Sequence, residues 1–334
     1  MRFYKIPIFL VNEACPNKCI FCNQYAIASQ DSVPQPEDLP EMFEKHFKTF
    51  KNENRNVEIA FFGGNFTGLD VEKQTKYLEV AYEYLEKGLI DGIRISTRPD
   101  FIDEKKLLLL KSFGVSAIEL GTQSMHDDVL NICQRNHTAK DSEKAAGMIK
   151  EFGFELGMQM MTGLPYDTEE KSIQTAKEII RLGAKTTRIY PCLVVEDTEL
   201  ENMYNRGEYK PQLLEEAIAL TAKLVDIFEH AGVNVLRVGL HPSEGFIRGE
   251  ELIAGPFHPA FGELVRSVMW YNLFKNSTFP DTEEIVITVN PKSLNAAIGH
   301  SACNKSWLKK LYSKVVFKTD KNIGIKEFTA KALC

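Results

Sequence analysis

The chain has 334 residues, 44% hydrophobic and 26% charged, with a formal net charge of −6. That length holds one large domain of about 250 residues with a small appendage, or two medium domains. No apolar run reaches the ~18 residues that span a membrane. The acidic balance argues against a large phosphate-tracking surface, which draws its affinity from cations.

The opening run Met1-Arg2-Phe3-Tyr4-Lys5-Ile6-Pro7 lacks the layout of a signal peptide, and the seven cysteines are odd in number. Free thiols and a cytoplasmic location are therefore expected. Residues 6–11 form the first predicted strand. Directly after it stand three cysteines within eight residues, Cys15-Pro16-Asn17-Lys18-Cys19-Ile20-Phe21-Cys22. Three thiolates are one short of the four ligands that a four-iron cubane takes. An iron without a protein ligand can hold a substrate or cofactor, as the open position of a catalytic zinc does. The competing reading is a zinc site completed by Cys133, Cys192, Cys303, Cys334 or a histidine. Structural zinc favours a second Cys-x2-Cys knuckle, and none is present.

Further strands are predicted at residues 57–62, 93–96, 117–120, 156–161 and 188–195, with a seventh at 233–238. All are short, apolar and β-branched, as buried parallel strands are. Helical patterns lie between them. Leu69, Tyr77, Leu78, Ala81 and Leu85 share one face, as do Leu107, Leu108 and Leu110 before Gly114. Another helix runs from Asp167 as N-cap to Gly183 as C-cap. Four polar clusters follow strand ends: Gly63-Gly64-Asn65, Thr97-Arg98-Pro99-Asp100, Gly121-Thr122-Gln123-Ser124 and Thr162-Gly163-Leu164-Pro165. Alternating strands and helices give an α/β class. A site assembled from several strand ends fits a partial (β/α)6-type TIM barrel better than one crevice in a doubly wound sheet. After about residue 256 the pattern changes to strands at 284–289 and 314–318 with a helix near 294–311. The expected division is a barrel over residues 1–255 and an α+β extension over 256–334.

The cysteine loop, the glycine turn and the polar strand ends together resemble the radical S-adenosylmethionine superfamily. Within it, Glu58-Ile59-Ala60-Phe61-Phe62-Gly63-Gly64-Asn65-Phe66-Thr67-Gly68 and Ile118-Glu119-Leu120-Gly121-Thr122-Gln123-Ser124 resemble the elongator catalytic-subunit subgroup. So do Ile95-Ser96-Thr97-Arg98-Pro99-Asp100, residues 156–165 and residues 255–263. The resemblance implies a 4Fe–4S cluster on Cys15, Cys19 and Cys22, whose open iron chelates S-adenosylmethionine. One electron from an external donor such as flavodoxin or ferredoxin then releases a 5′-deoxyadenosyl radical. By the same resemblance Phe21 shields the cluster. Gly63, Gly64 and Asn65 lie at the methionine-binding turn, and Thr97 and Arg98 lie where ribose and carboxylate bind. Arg98 could equally serve a neighbouring acid. Glu119, in an apolar setting that makes an unpaired carboxylate costly, needs either a cofactor ammonium or a structural arginine. Gln123, Gln159, Met161 and Leu193 complete the expected cofactor set, with Met161 and Leu193 also readable as core. Cys133, Cys192 and Cys303 read as buried small hydrophobes.

Three departures separate the chain from that subgroup. Its cysteine spacing is tight, Asn65 replaces a usual Ser or Thr, and no Arg-x-x-Gly-x-Gly acyl-CoA loop occurs before Cys334. Acetyl transfer is therefore not expected, and neither nucleic acid nor membrane is the favoured partner. The leading expectation is a small 7-deazaguanine base. Queuine lyase, a stand-alone relative that this chain resembles, cuts the cyclopentenediol from queuine and leaves 7-aminomethyl-7-deazaguanine for salvage. Tyr190, Arg237, His241, Glu244 and His258, polar and near strand ends, are the candidates for its pocket. The alternatives are a tRNA-modifying relative of the elongator subunit and a non-catalytic metal-binding interaction module.

Overall fold

A computed structural model describes residues 2–16, 18–28, 32–51, 54–240 and 244–333. In chain order its first strands are β1 (Arg2–Phe9), β2 (Arg55–Phe62), β3 (Gly92–Thr97), β4 (Val115–Gln123), β5 (Glu155–Thr162) and β6 (Thr186–Pro191). The short β7 (Val194–Val195), then β8 (Asn234–Val238) and β9 (Leu252–Ala254), follow. Seven of them form one sheet in the order β1-β2-β3-β4-β5-β6-β8, every pair parallel. A doubly wound sheet would reverse direction at a switch point. Here each strand is laid beside its predecessor. Right-handed crossovers then put the connecting helices on one face and leave the other to curl on itself. The result is the expected partial barrel.

Alternation along the strands divides residues between the two faces. Ile6, Ile59, Phe61, Ile93, Ile95, Ile118, Leu120, Met158 and Met160 are fully buried on one side. The helix Val71–Glu86 packs on β3, Ala139–Glu151 on β4 and β5, and Glu169–Arg181 on β5. The other side is unusual, because its strand positions carry charge: Lys5, Glu58, Arg94, Glu119, Arg188 and Arg237.

Local chemistry moved several expected boundaries. The expected strand at 188–195 breaks at Cys192 and Leu193, and β7 turns away to pair antiparallel with β9. The helix expected from Asp167 is capped by Thr168, whose hydroxyl accepts from the Lys171 amide. The Asp167 carboxylate instead accepts from the Gly163 amide at 2.9 Å and the Ser172 hydroxyl at 2.7 Å. Leu108 is 54% exposed while Leu107 and Leu110 are buried, so the apolar stripe is narrower than the three leucines expected on one face imply.

By contact the chain divides into two units, Met1–Leu213 with Ile227–Phe257, and Leu214–Asp226 with His258–Cys334. The second has a three-stranded sheet in which β10 (Glu284–Val289) lies between parallel β11 (Lys314–Thr319) and antiparallel β12 (Phe328–Ala332). Its core gathers Trp270, Phe274, Ile285, Ile287, Val289 and Leu308. The single helix expected near 294–311 is instead three short pieces, Leu294–Ile298, His300–Ala302 and Cys303–Leu308. Gly299, Ser301 and Ala302 all have positive φ, which no continuous α-helix admits. Cys303, expected buried, is exposed, whereas Cys133 and Cys192 are buried as expected. The strand β12 was missed because Phe328-Thr329-Ala330-Lys331-Ala332 carries little β-branched character.

Candidate functional site

The strands of the first unit end around a cavity of about 920 Å³. Cys15, Cys19 and Cys22 lie on its wall, in the loop that leaves β1. That loop is fixed by backbone bonds from Ile20 N–H to Cys133 O (3.3 Å), Cys22 N–H to Cys19 O (3.0 Å) and Leu200 N–H to Ile20 O (2.7 Å). Burial, then repulsion from Cys19, raises the thiol pKa of Cys15, and the same causes push Cys22 up to about 12. These are protonated thiols until a metal displaces the proton, as coordination does. Among the described residues no group of three His, Cys, Asp or Glu side chains is arranged to hold a single metal ion.

The glycine turn faces the cysteine loop. Gly63 and Gly64 have φ of +73° and +48°, and both line the cavity. A Cβ on Gly64 would stand 2.5 Å from the carbonyl oxygens of Leu10 and Glu13, so only glycine allows this approach of two backbones. Gln24, a residue overlooked in sequence, ties the two loops together. Its Oε1 accepts from Asn12 N–H at 2.5 Å and Gly64 N–H at 2.8 Å.

Asn65 is only 1% exposed and stands behind the wall. Its Oδ1 accepts from the Thr97 hydroxyl (2.6 Å) and the Arg98 amide (3.2 Å), and its Nδ2 donates to Ala14 O (3.2 Å). The departure at this position is thus a bolt between β2, β3 and the cysteine loop. Thr97 and Arg98 line the cavity, but Arg98 is paired with Asp100 at 2.9 and 3.0 Å. Phe21, Gln123 and Gln159 also line it. Gln123 sits at φ +65°, and its Oε1 is buried without a hydrogen-bond partner. Arg135, absent from the expected set, donates to the Cys19 sulfur at 3.3 Å and to Gly121 O at 2.5 Å. Its Nε is likewise buried and unpartnered. An acceptor and a donor without partners on one cavity wall are what a polar ligand would complete.

Glu119 finds its partners in structural arginines. Its carboxylate accepts from Arg188 at 2.7 and 3.2 Å and from Gln159 at 2.8 Å, and Arg94 lies 3.5 Å away. Burial pulls its pKa up, but Arg188, Arg94 and Gln159 outweigh that and hold it below the usual range. Met161 and Leu193 belong to apolar clusters and do not line the cavity, so their core reading prevails. Tyr190 and Arg237 line it, together with Lys5 and Arg188, which sequence reasoning missed. The signal was present: a lysine and an arginine at inward positions of apolar strands need a reason. His241 and the side chain of Glu244 lie outside the described residues. His258 belongs to the second unit, where its Nδ1 accepts from Ala260 N–H at 3.0 Å and its ring packs edge-on to His300.

A family model described as the radical SAM superfamily matches residues 9–179, and a radical SAM C-terminal domain matches residues 184–271. A tRNA uridine(34) acetyltransferase of Methanocaldococcus jannaschii is 30% identical over 62% of this chain and 46% of its own length. The chain spans about half the length of the acetyltransferases it matches. An uncharacterised protein of the same organism is 31% identical over 70% of this chain and 74% of its own length. A solved structure of the archaeal Methanocaldococcus infernus Elp3, deleted of its N-terminus, superposes with a TM-score of 0.63. It is 24% identical over 80% of this chain and 62% of that one, a likeness of fold.

Proposed function

The chain belongs to the radical SAM superfamily, and we propose that it directs a 5′-deoxyadenosyl radical at a nucleobase-containing substrate. Enzymes of this superfamily use a 4Fe–4S cluster and S-adenosylmethionine. When bound, that pair supplies hydrogen-atom abstraction from carbon, a reaction no side chain performs. Cys15, Cys19 and Cys22 are the residues we assign to the cluster, because all three border one cavity whose wall also carries unpartnered polar atoms. Arg135 offsets negative charge at Cys19, and Phe21 keeps water from the loop. Gly63 and Gly64 leave room for close approach to backbone, while Gln123 Oε1 and Arg135 Nε offer an acceptor and a donor to the cofactor.

Modification of tRNA is the reading of the substrate with the broader support. The observation that carries it is 30% identity to tRNA uridine(34) acetyltransferases over about three fifths of this chain. Cleavage of a free 7-deazaguanine base, as by queuine lyase, is a second reading. It is favoured by a cavity whose lining includes Phe9, Phe62 and Tyr190, aromatic side chains of the kind that pack against a base.

One experiment separates them. Protein reconstituted with iron and sulfide is incubated anaerobically with reductant, S-adenosylmethionine and either bulk tRNA or a panel of 7-deazaguanine bases. Products are read by mass spectrometry. Formation of 5′-deoxyadenosine with a new mass on tRNA nucleosides supports the tRNA reading. Loss of the cyclopentenediol from free queuine supports the lyase. A colourless, zinc-loaded protein that leaves S-adenosylmethionine intact would refute both.

A further inference from the structure

Arginine cannot shed its proton in a protein, so a buried guanidinium needs an acceptor or an anion beside it. Arg188 and Arg237 are direct partners in the register of β6 and β8, which sets two positive side chains side by side. Like charges so placed on neighbouring strands repel. Arg188 is accounted for: Glu119 takes it at 2.7 and 3.2 Å, and its guanidinium lies 4.6 Å over the Phe62 ring. Arg237 is not. Among the described residues it donates only to two carbonyls, Gly239 O at 3.1 Å and Leu240 O at 3.4 Å, and no carboxylate pairs with it. Burial depresses its pKa, Tyr190 opposes this, and Arg188 depresses it further.

The cavity repeats the imbalance on a larger scale. Its described lining includes Lys5, Lys18, Arg98, Arg135, Arg188 and Arg237, and no aspartate or glutamate, in a chain whose net charge is −6. Arg98 and Arg135 stand by the cysteine loop, where Arg135 touches Cys19 and Arg98 donates to Arg135 O. Arg188, Tyr190 and Arg237 form a separate group on β6 and β8. Residues 188 and 190 share one strand face, so the phenol stands next to the arginine pair.

We propose that Arg237, backed by Arg188 and Tyr190, is an oxyanion subsite for the substrate, taking a phosphate or a carboxylate group. A guanidinium presents two parallel N–H donors that match two oxygens of either group. Such a ligand removes the repulsion between the arginines that the protein leaves standing. Phosphate would come from a nucleotide, free or within tRNA, and carboxylate from an acidic substituent. The inference rests on the reading of this cavity as the substrate site.

The test uses the reconstituted full chain, anaerobic and saturated with S-adenosylmethionine, so that the cofactor's own carboxylate is already in place. Inorganic phosphate and acetate are titrated by calorimetry against a chloride background. At least one should bind saturably, and Arg237→Gln should weaken it by about tenfold or more. Which probe binds names the source. Melting temperature provides the second readout. Arg237→Gln should leave it unchanged or raise it without anion, and should abolish the rise that the binding anion gives the wild type. A fall in melting temperature without anion would instead mark Arg237 as a structural residue and overturn the proposal. So would binding of neither probe, or binding that saturated S-adenosylmethionine suppresses. Wild-type formation of 5′-deoxyadenosine, assayed in parallel, reports on the radical reading independently. Loss of the one signal with retention of the other shows which of the two has failed.

Discussion

Glu119 is 1% exposed and holds the inward face of the barrel together, since Arg188, Arg94 and Gln159 all converge on it. Removing one partner of a buried ion pair strands the other, at about 3–5 kcal/mol. Glu119→Ala should lose that much in urea denaturation, and a loss below about 1 kcal/mol would contradict the role. Glu119→Gln retains an acceptor for Arg188 and should cost less. Burial opposes ionisation of Glu119, but the arginines overcome it and its folded pKa is depressed. A depressed carboxylate stabilises fully above its unfolded value, about 4.3, and progressively less as pH falls through the folded value. The stability gap between wild type and Glu119→Gln should therefore be constant near neutrality and close below about pH 4. The cysteines are a simpler case. Cys19→Ser should leave the purified protein without its brown chromophore and without 5′-deoxyadenosine, whereas Cys303→Ser, at an exposed position, should retain both.

The turn after β2 shows how an element shapes the site. Gly64 and Gly88 both have positive φ, +48° and +66°, but differ in surroundings. A Cβ at Gly88 meets nothing within 4 Å, so Gly88→Ala pays left-handed strain alone, about 1–2 kcal/mol. At Gly64 the same Cβ would meet two carbonyl oxygens at 2.5 Å and force the cysteine loop away from β2. Gly64→Ala should thus be the more destabilising in urea denaturation and should also impair iron incorporation, which Gly88→Ala leaves intact. Equal effects would mean that close approach of the loops is unimportant. This turn was legible because Gly-Gly after an apolar strand has few other uses. The alternation of short apolar strands with helices was legible for the same reason, that period and spacing are local. Legibility failed where partners come from afar. Arg188 and Lys5 became cavity residues through neighbours more than fifty residues away, Glu119 and Glu58. Asn65 looked like a ligand contact because its three hydrogen bonds to Ala14, Thr97 and Arg98 cannot be read from spacing.

At the scale of the whole chain, a net charge of −6 conceals an uneven distribution. Within the second unit, Val315 and Phe317 of β11 and Phe328 and Ala330 of β12 turn toward the core. Lys314, Lys318 and Lys331 are exposed and alternate with them, so they occupy the opposite sheet face. Among the described residues, Lys314 alone of the three forms an ion pair, with Glu284 at 3.6 Å. A sheet face bearing three lysines offers contacts to a phosphate backbone, and each phosphate it neutralises releases counterions. If the substrate is tRNA, retardation should appear at low salt, and its affinity should fall steeply as salt rises. Joint replacement of Lys314, Lys318 and Lys331 by glutamate should weaken binding and flatten the log–log salt slope by about 2–3. The measurement is a mobility-shift titration at several salt concentrations, with melting curves to confirm that the exposed substitutions leave the protein folded. Absence of retardation at the lowest salt would remove tRNA as the substrate. An unchanged slope would instead move any tRNA contact off this face. A free base has no backbone to grip, so an enzyme acting on one gains nothing from these lysines. The salt slope therefore discriminates between the two substrates without requiring turnover.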